Sequence, residues 1–138
     1  FIHNKDININ NIFKETLNFC YWFLFLNTHT KYMAIQKAKF SIGDIVKHKH
    51  FEFRGVIYDV DFEFNNSEEW YQSIPKNVRP RKDQPFYHLL AENDEITYEA
   101  YVSEQNLLVD DSDEPIKHPL IEEIFSGKKG SAYFKPSN

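Results

Sequence analysis

The amino-acid sequence predicts a mainly β fold, a small five-stranded barrel with one long loop and a short C-terminal helix. Three observations lead there. Short runs such as "GVIYDVDF" and "EITYEAYV" alternate apolar with polar residues, which is the two-residue period of strands. The runs "PFYHLLA" and "EITYEAYV" flank the turn "END", Glu92 to Asp94, and read as a hairpin. The stretch "QPFYHLL", Gln84 to Leu90, carries apolar groups on both faces, as a strand enclosed in a small barrel would.

Length and composition agree with one such domain. The chain has 138 residues, 41% of them hydrophobic and 17% aromatic, enough for a single core. Its one cysteine excludes an intramolecular disulfide and a zinc site built on cysteines, and suits a reducing cytosol.

The segment 1–32, ahead of Met33, shows no sustained helical or alternating period and is expected to be non-native or disordered. Its apolar run, Phe19 to Leu26, is far short of the about 20 residues that a membrane anchor needs. The "NTHTKY" that follows lacks the small residues of a secretory cleavage site. The domain is therefore expected over 33–109, followed by an acidic tail over 110–138.

The first strand is "FSIGDIVKHKH", broken by a turn or bulge at Gly43-Asp44. In the second, Val56, Tyr58, Val60 and Phe62 fall on one face and Ile57, Asp59 and Asp61 on the other, with Gly55 placed for a tight bend. A polar connection, 65–83, follows. Pro75 and Pro80 discourage regular structure in it, although "SEEWYQSI" can form a helical turn capped by Ser67. A connection of that length inside a compact domain is usually functional or mobile.

Pro85 can occupy only the first position of the third strand or an edge, because it lacks an N–H for the ladder. Phe86, His88 and Leu90 then oppose Tyr87 and Leu89, and Tyr87 is expected in the core. In the fourth strand Ile96, Tyr98, Ala100 and Val102 form the core face. "SEQNLLV" turns into a short fifth strand. The acidic, proline-bearing "DDSDEPIKHP" leads to "LIEEIF", where Leu120, Ile121, Ile124 and Phe125 share one helical face, suited to docking on the chain itself or on a partner. The final "SGKKGSAYFKPSN" is polar and glycine-bearing, and is expected to be disordered.

Few catalytic chemistries survive this reading. The sequence has no glycine-rich phosphate loop and no serine in a nucleophile-elbow pattern, so no hydrolase and no cofactor is expected. His48 and His50 share a strand face and could ligate a metal with His88 or His118; a solvated pair in a basic strand is the simpler reading. Asp59 and Asp61 are explained equally well as the polar side of a core strand. No enzyme is expected.

Basic and aromatic residues are the stronger signal. Lys47, Lys49 and Arg54 lie near the first hairpin, Arg79, Arg81 and Lys82 lie in the loop, and Trp70 and Tyr71 precede them. Cations of this kind clamp phosphates while planar side chains meet bases or sugars, so these eight are the candidate DNA contacts. The bland alternative is a solvated charge run beside core aromatics. Charge is uneven: residues 33–90 hold nine basic and eight acidic side chains, and 91–138 hold four and eleven. DNA contact therefore has to come from a local patch in the first half.

Taken in order, "KFSIGDIVKHKHFEFRGVIYDVD", a tryptophan loop, "QPFYHLL" and "YVSEQNLL" resemble the heat shock protein HspQ family, also called the YccV-like hemimethylated-DNA-binding domain. The resemblance covers about Lys39 to Val109, and the acidic tail is similar to that of the bacterial short-chain form. It implies a small SH3-like β-barrel, a cytoplasmic protein and no catalysis. Two roles are implied: binding hemimethylated double-stranded DNA with regulation of the replication initiator DnaA, or promoting degradation of denatured or regulatory proteins by the Lon protease. In the second role the face Leu120, Ile121, Ile124 and Phe125 is the candidate partner contact. No membrane association is expected, and self-association is left open.

Overall fold

The computed structural model describes residues 38–137, so the readings placed on 1–32 and on Met33 lie outside the described residues. Strands β1 (Ile45–His48), β2 (Arg54–Asp61), β3 (Phe86–Glu92), β4 (Thr97–Ser103) and β5 (Leu107–Val109) form one antiparallel sheet in the order β4-β3-β2-β1-β5. Among the described residues β4 and β5 do not pair. The expected barrel is therefore not closed. Between them the chain winds through a 3-10 turn, Glu104–Asn106, instead of staying extended. That turn is pinned beside β3: the Glu104 amide donates to the Pro85 carbonyl at 2.8 Å, and Gln84 bonds the Gln105 side chain and amide at 2.6 and 3.0 Å.

The sheet still curls. Val102 of β4 and Leu107 of β5, on opposite edges, share one buried cluster with Phe40, Val46, Ile57, Tyr87, Leu89 and Ala91. Tyr87 is fully buried there, as expected. Its hydroxyl donates to Glu104 at 2.6 Å and accepts from the Phe40 amide at 3.2 Å, so the ring is fixed at both ends of a polar tether. Pro85 stands just before β3, where its missing N–H costs the ladder nothing.

Two local expectations needed correction. The β2–β3 register shifts between Ile57 and Asp59, so Tyr58 is an inserted residue. Ile57 and Val60 consequently pack with one cluster and Val56 and Tyr58 with the other, while Phe62 is exposed. Ile96, expected on the core face, lies in the β3–β4 turn and is exposed, because Asn93 closes that turn by accepting from the amides of Glu95 and Ile96.

The opposite face of the sheet has two covers. One is the tail. Residues 127–134, expected to lack structure, form a hairpin of β6 (Gly127–Lys129) and β7 (Ala132–Phe134). Tyr133 and Phe125 pack on Ile45, Val56, Leu90 and Ile116, with Leu120, Ile121 and Ile124 partly buried around them. The four residues proposed for a partner thus face the chain's own sheet, and the helix α2 (Ile121–Ile124) is a single turn. Gly43 makes the docking close: its φ is +97° and a Cβ there would lie 2.0 Å from the Tyr133 carbonyl oxygen. The Tyr133 amide donates to the Gly43 carbonyl at 2.8 Å.

Arg54 ties the acidic segment to the same end. Its guanidinium donates to Asp110 at 2.5 Å, to Glu92 at 3.0 Å, to the Ser112 hydroxyl at 3.2 Å and to the Glu114 carbonyl at 2.6 Å. Burial opposes ionisation of Asp110, yet hydrogen bonds from Ser112 and Arg54 outweigh it and hold the carboxyl below its usual range. The other cover is the 65–83 loop.

Candidate nucleic-acid interface

Three segments converge on the free edge of β4. The first is the turn after β1. The His48 amide donates to the Phe53 carbonyl at 3.1 Å, and His48 Nδ1 accepts from the amides of His50 and Phe51 at 3.0 and 3.1 Å. A nitrogen that accepts twice carries no proton. Burial and the neighbouring His50 lower the His48 pKa further, so the ring is neutral at pH 7 and behaves as an aromatic surface. Phe51 and Phe53 lie against it, with ring centroids 4.8 and 5.0 Å away.

The loop supplies the second wall. Ser67 caps α1 (Glu68–Ser73) by accepting from the Trp70 amide, as the sequence predicts. Trp70 stacks on Phe64 at 5.9 Å, and Phe64 meets the buried Phe86 at 5.4 Å, so the helix sits down on β3 through aromatic contacts. The loop is closed by Arg79, which donates to the carbonyls of Gln72 and Ile74 and to the Gln72 side chain while lying over the Tyr71 ring. Tyr71 in turn donates to the Pro80 carbonyl at 2.8 Å.

A polar joint fixes the loop's start to β4. Asp61 accepts from Tyr101 at 3.0 Å and pairs with His88 Nε2 at 2.9 Å, while the Tyr101 hydroxyl accepts from the Asn65 amide at 2.9 Å. Burial works against ionised Asp61, but the bonds from His88, Tyr101 and Asn65 hold its carboxyl below the usual range. Burial pushes the Tyr101 hydroxyl up to about 12. With both partners held in these protonation states the joint positions the loop, and Asp61 is not a free base.

The third wall is β4 with the turn after it: Tyr98, Ala100 and Val102, then Ser103 and Asn106. Together the walls enclose about 230 Å³, small beside the 300–1,000 Å³ usual for a drug-sized ligand. Its lining is mostly apolar and aromatic. Its polar residues are His48, His50, Asn106 and, the most buried of them, Ser103. Only 2% of it is exposed, and its Oγ has no hydrogen-bond partner among the described residues. An orphaned buried hydroxyl costs about 1–3 kcal/mol.

The eight proposed DNA contacts divide by placement. Trp70 lines this cavity and Tyr71 supports its loop wall. Lys49 alternates with the lining residues His48 and His50, and its ammonium donates to the Gln105 carbonyl, beside Asn106. Arg79 and Arg81 flank Pro80 on the other bank; Arg81 makes only an exposed pair with Asp83 at 3.2 Å. Lys82 lies over Tyr71 at 4.4 Å and pairs with Glu68. Lys47 is exposed and 3.7 Å from Asp111. Arg54 is set apart, because its guanidinium is engaged by Asp110 and Glu92. The larger groove of about 1230 Å³ around Arg54, which Lys47 and Lys49 also line, has six acidic side chains against four basic ones, poor surroundings for a phosphate.

The histidines weighed as an alternative metal set, His48, His50, His88 and His118, have other partners. His88 pairs with Asp61, His118 Nδ1 accepts from the Leu120 amide, and among the described residues no group of three or more His, Cys, Asp or Glu is placed to hold a metal. Nor is any helix among those residues long and apolar enough to cross a membrane. Phe51, Phe53, Tyr98, Ser103 and Asn106 were not among the candidate contacts read from the sequence, which placed Tyr98 on the core face of its strand. The aromatic density of "HKHFEF" was the available signal for the first two.

The chain matches the family model described as "Hemimethylated DNA-binding protein YccV like" over residues 38–132. The match runs past the acidic segment into the C-terminal hairpin. The F-box only protein 21 of Homo sapiens is 33% identical over 95 residues, and that of Mus musculus 32%. The alignment takes in 68% of this chain but only 15% of either relative, so the chain spans a small part of their length. No solved structure matches.

Proposed function

The chain belongs to the YccV-like family of hemimethylated DNA-binding proteins, and from that premise we propose that it binds hemimethylated double-stranded DNA at the free edge of β4, without catalysing a reaction. One observation supports the placement: the lining is apolar and aromatic, and cations are chain neighbours of lining residues, Lys49 between His48 and His50 and Arg79 and Arg81 on either side of Pro80. Phosphate contacts of this kind set register and orientation, while an apolar surface between them can meet a methyl group. The surface ion pairs of Arg81 and Lys82 are weak and exchange readily for phosphates. A cytoplasmic location and an HspQ-like regulation of the replication initiator DnaA extend this proposal.

A second reading has its own support. The unpaired edge of β4 offers backbone groups to an extended peptide, as strand addition requires, and the second half of the chain is acidic. On this reading the protein presents denatured or regulatory clients to a Lon-type protease through the β4 edge, since the Leu120–Phe125 face is occupied by its own sheet. Titration with fully methylated, hemimethylated and unmethylated duplexes at several salt concentrations decides between them. The DNA reading requires tightest binding to the hemimethylated duplex. Equal and weak binding to all three would leave the peptide reading.

A further inference from the structure

We propose that His48 positions the hairpin wall beside β4 and that its proton state controls that wall: the neutral ring ties the turn between β1 and β2 shut, and the imidazolium lets it open. Little else holds the turn. Residues 49–52 are exposed, Phe51 by 60%. Nδ1 of His48 is the acceptor for two consecutive amides, those of His50 at 3.0 Å and Phe51 at 3.1 Å, so the proton of the neutral ring sits on Nε2. A second proton has to go to Nδ1. There it faces two N–H donors, breaks both bonds and leaves the amides without their acceptor. Phe51 and Phe53, against the ring at 4.8 and 5.0 Å, belong to the same turn and line the cavity.

The surroundings of the ring do not compensate. His50 lies 5.9 Å away, Lys47 and Lys49 flank His48 in the chain, and Glu52 is in the turn. β4 brings Tyr98, behind Phe53; β5 brings no charge, and from the loop Trp70, Ile74 and Pro80 are uncharged. Across the larger groove stand Arg54, Lys117 and the carboxylates Glu92, Asp94, Glu95, Asp110 and Glu114. Among the described residues none of these makes an ion pair with His48. Burial first, and His50 second, hold its pKa below the ordinary value of about 6.5. The turn is thus held fully above about pH 6.5 and loses stability as pH falls from there to the lower value of the closed turn.

Amide exchange of the full chain, followed by NMR from about pH 7.5 to about pH 5 and corrected for intrinsic exchange, tests the latch. Protection of the His50 and Phe51 amides should fall about tenfold per pH unit below about 6.5, one proton being taken up on opening, while that of Leu89 in β3 holds. His48→Asn keeps a side-chain acceptor that does not titrate, and should protect both amides at every pH. His48→Phe keeps a ring without an acceptor, and should protect them at none. Protection that ignores pH, or a His48→Phe chain as protected as the parent, overturns the latch. The consequence for binding rests on the DNA reading and is measured separately, as the Kd for a hemimethylated duplex over the same pH range. A histidine that gains charge beside phosphates strengthens binding in acid. Loss of the Phe51 and Phe53 wall should instead weaken it by about tenfold or more, and His48→Asn should abolish the weakening. If the amides open as expected while affinity rises, the latch stands and the duplex does not use this wall.

Discussion

The two covers on the outer face of the sheet are built oppositely. At one end the tail lays down Ile116, Phe125 and Tyr133, each less than 10% exposed, and locks them with the Arg54 cluster and a close approach at Gly43. At the other end the loop lays down Trp70 and Tyr71, half-buried, under cations that remain near the surface. The tail excludes water and completes a core. The loop leaves a ring-sized gap and an unpaired hydroxyl. An acidic, proline-bearing segment can thus be structural, while the better-formed helical turn of the two, α1, belongs to the adaptable side. Burial of the partner groups, and not regularity of secondary structure, separates scaffold from site.

This contrast breaks most directly if the tail is removed. Deleting residues 110–138 exposes Ile45, Val56 and Leu90 and strips Arg54 of Asp110, so the truncated chain should lose its folded signature in circular dichroism. A cooperative melt at the original midpoint would show that the tail is dispensable. Single truncations should rank in the same order. Phe125→Ala or Tyr87→Ala should cost about 3–5 kcal/mol in urea denaturation, as large buried aromatics do. Trp70→Ala, half-buried, should cost visibly less and act mainly on duplex affinity.

Arg54, a candidate DNA contact in the sequence, belongs to the tail's side of the fold. Arg54→Ala leaves Asp110 and Glu92 facing each other with little water, and should cost about 3 kcal/mol while leaving the DNA affinity of the folded protein unchanged. The pH dependence follows from the depressed Asp110 carboxyl. Its stabilisation is complete above the unfolded value of about 3.9 and disappears as pH falls through the lower folded value. Urea midpoints should therefore fall on acidification below about pH 4, and Asp110→Asn should flatten that fall. The smallest stability effect belongs to the rim. Arg81→Ala, exposed and weakly paired, should change stability by less than about 1 kcal/mol, yet reduce the salt slope of duplex binding by about one.

The sequence made the inner strands legible because their patterns are local. Pro85 marks the start of β3, Ser67 marks the start of α1, and Tyr87 reads as core from its alternation. What escaped was set by contacts distant in sequence. The inserted Tyr58 reverses the β2 alternation midway, and only the pairing with β3 exposes it. β6 and β7 have three residues each and no pattern of their own; they form because Gly43 and Tyr133 meet across the fold. The open seam depends on the Gln84–Gln105 clasp, which no periodicity reports. At the site, cations were visible as letters, but their availability was not: Arg54 and Arg81 read alike and are placed oppositely. Ser103 became notable only through what its oxygen lacks.

On the proposed reading the loop and hairpin form the binding side while the tail is scaffold. Amide signals of the full chain, followed by NMR as a hemimethylated duplex is added, test it most directly. Shifts should concentrate at 48–53, 70–81 and 98–106, with 111–134 unmoved. Shifts centred on the tail, with the loop and hairpin silent, would contradict it.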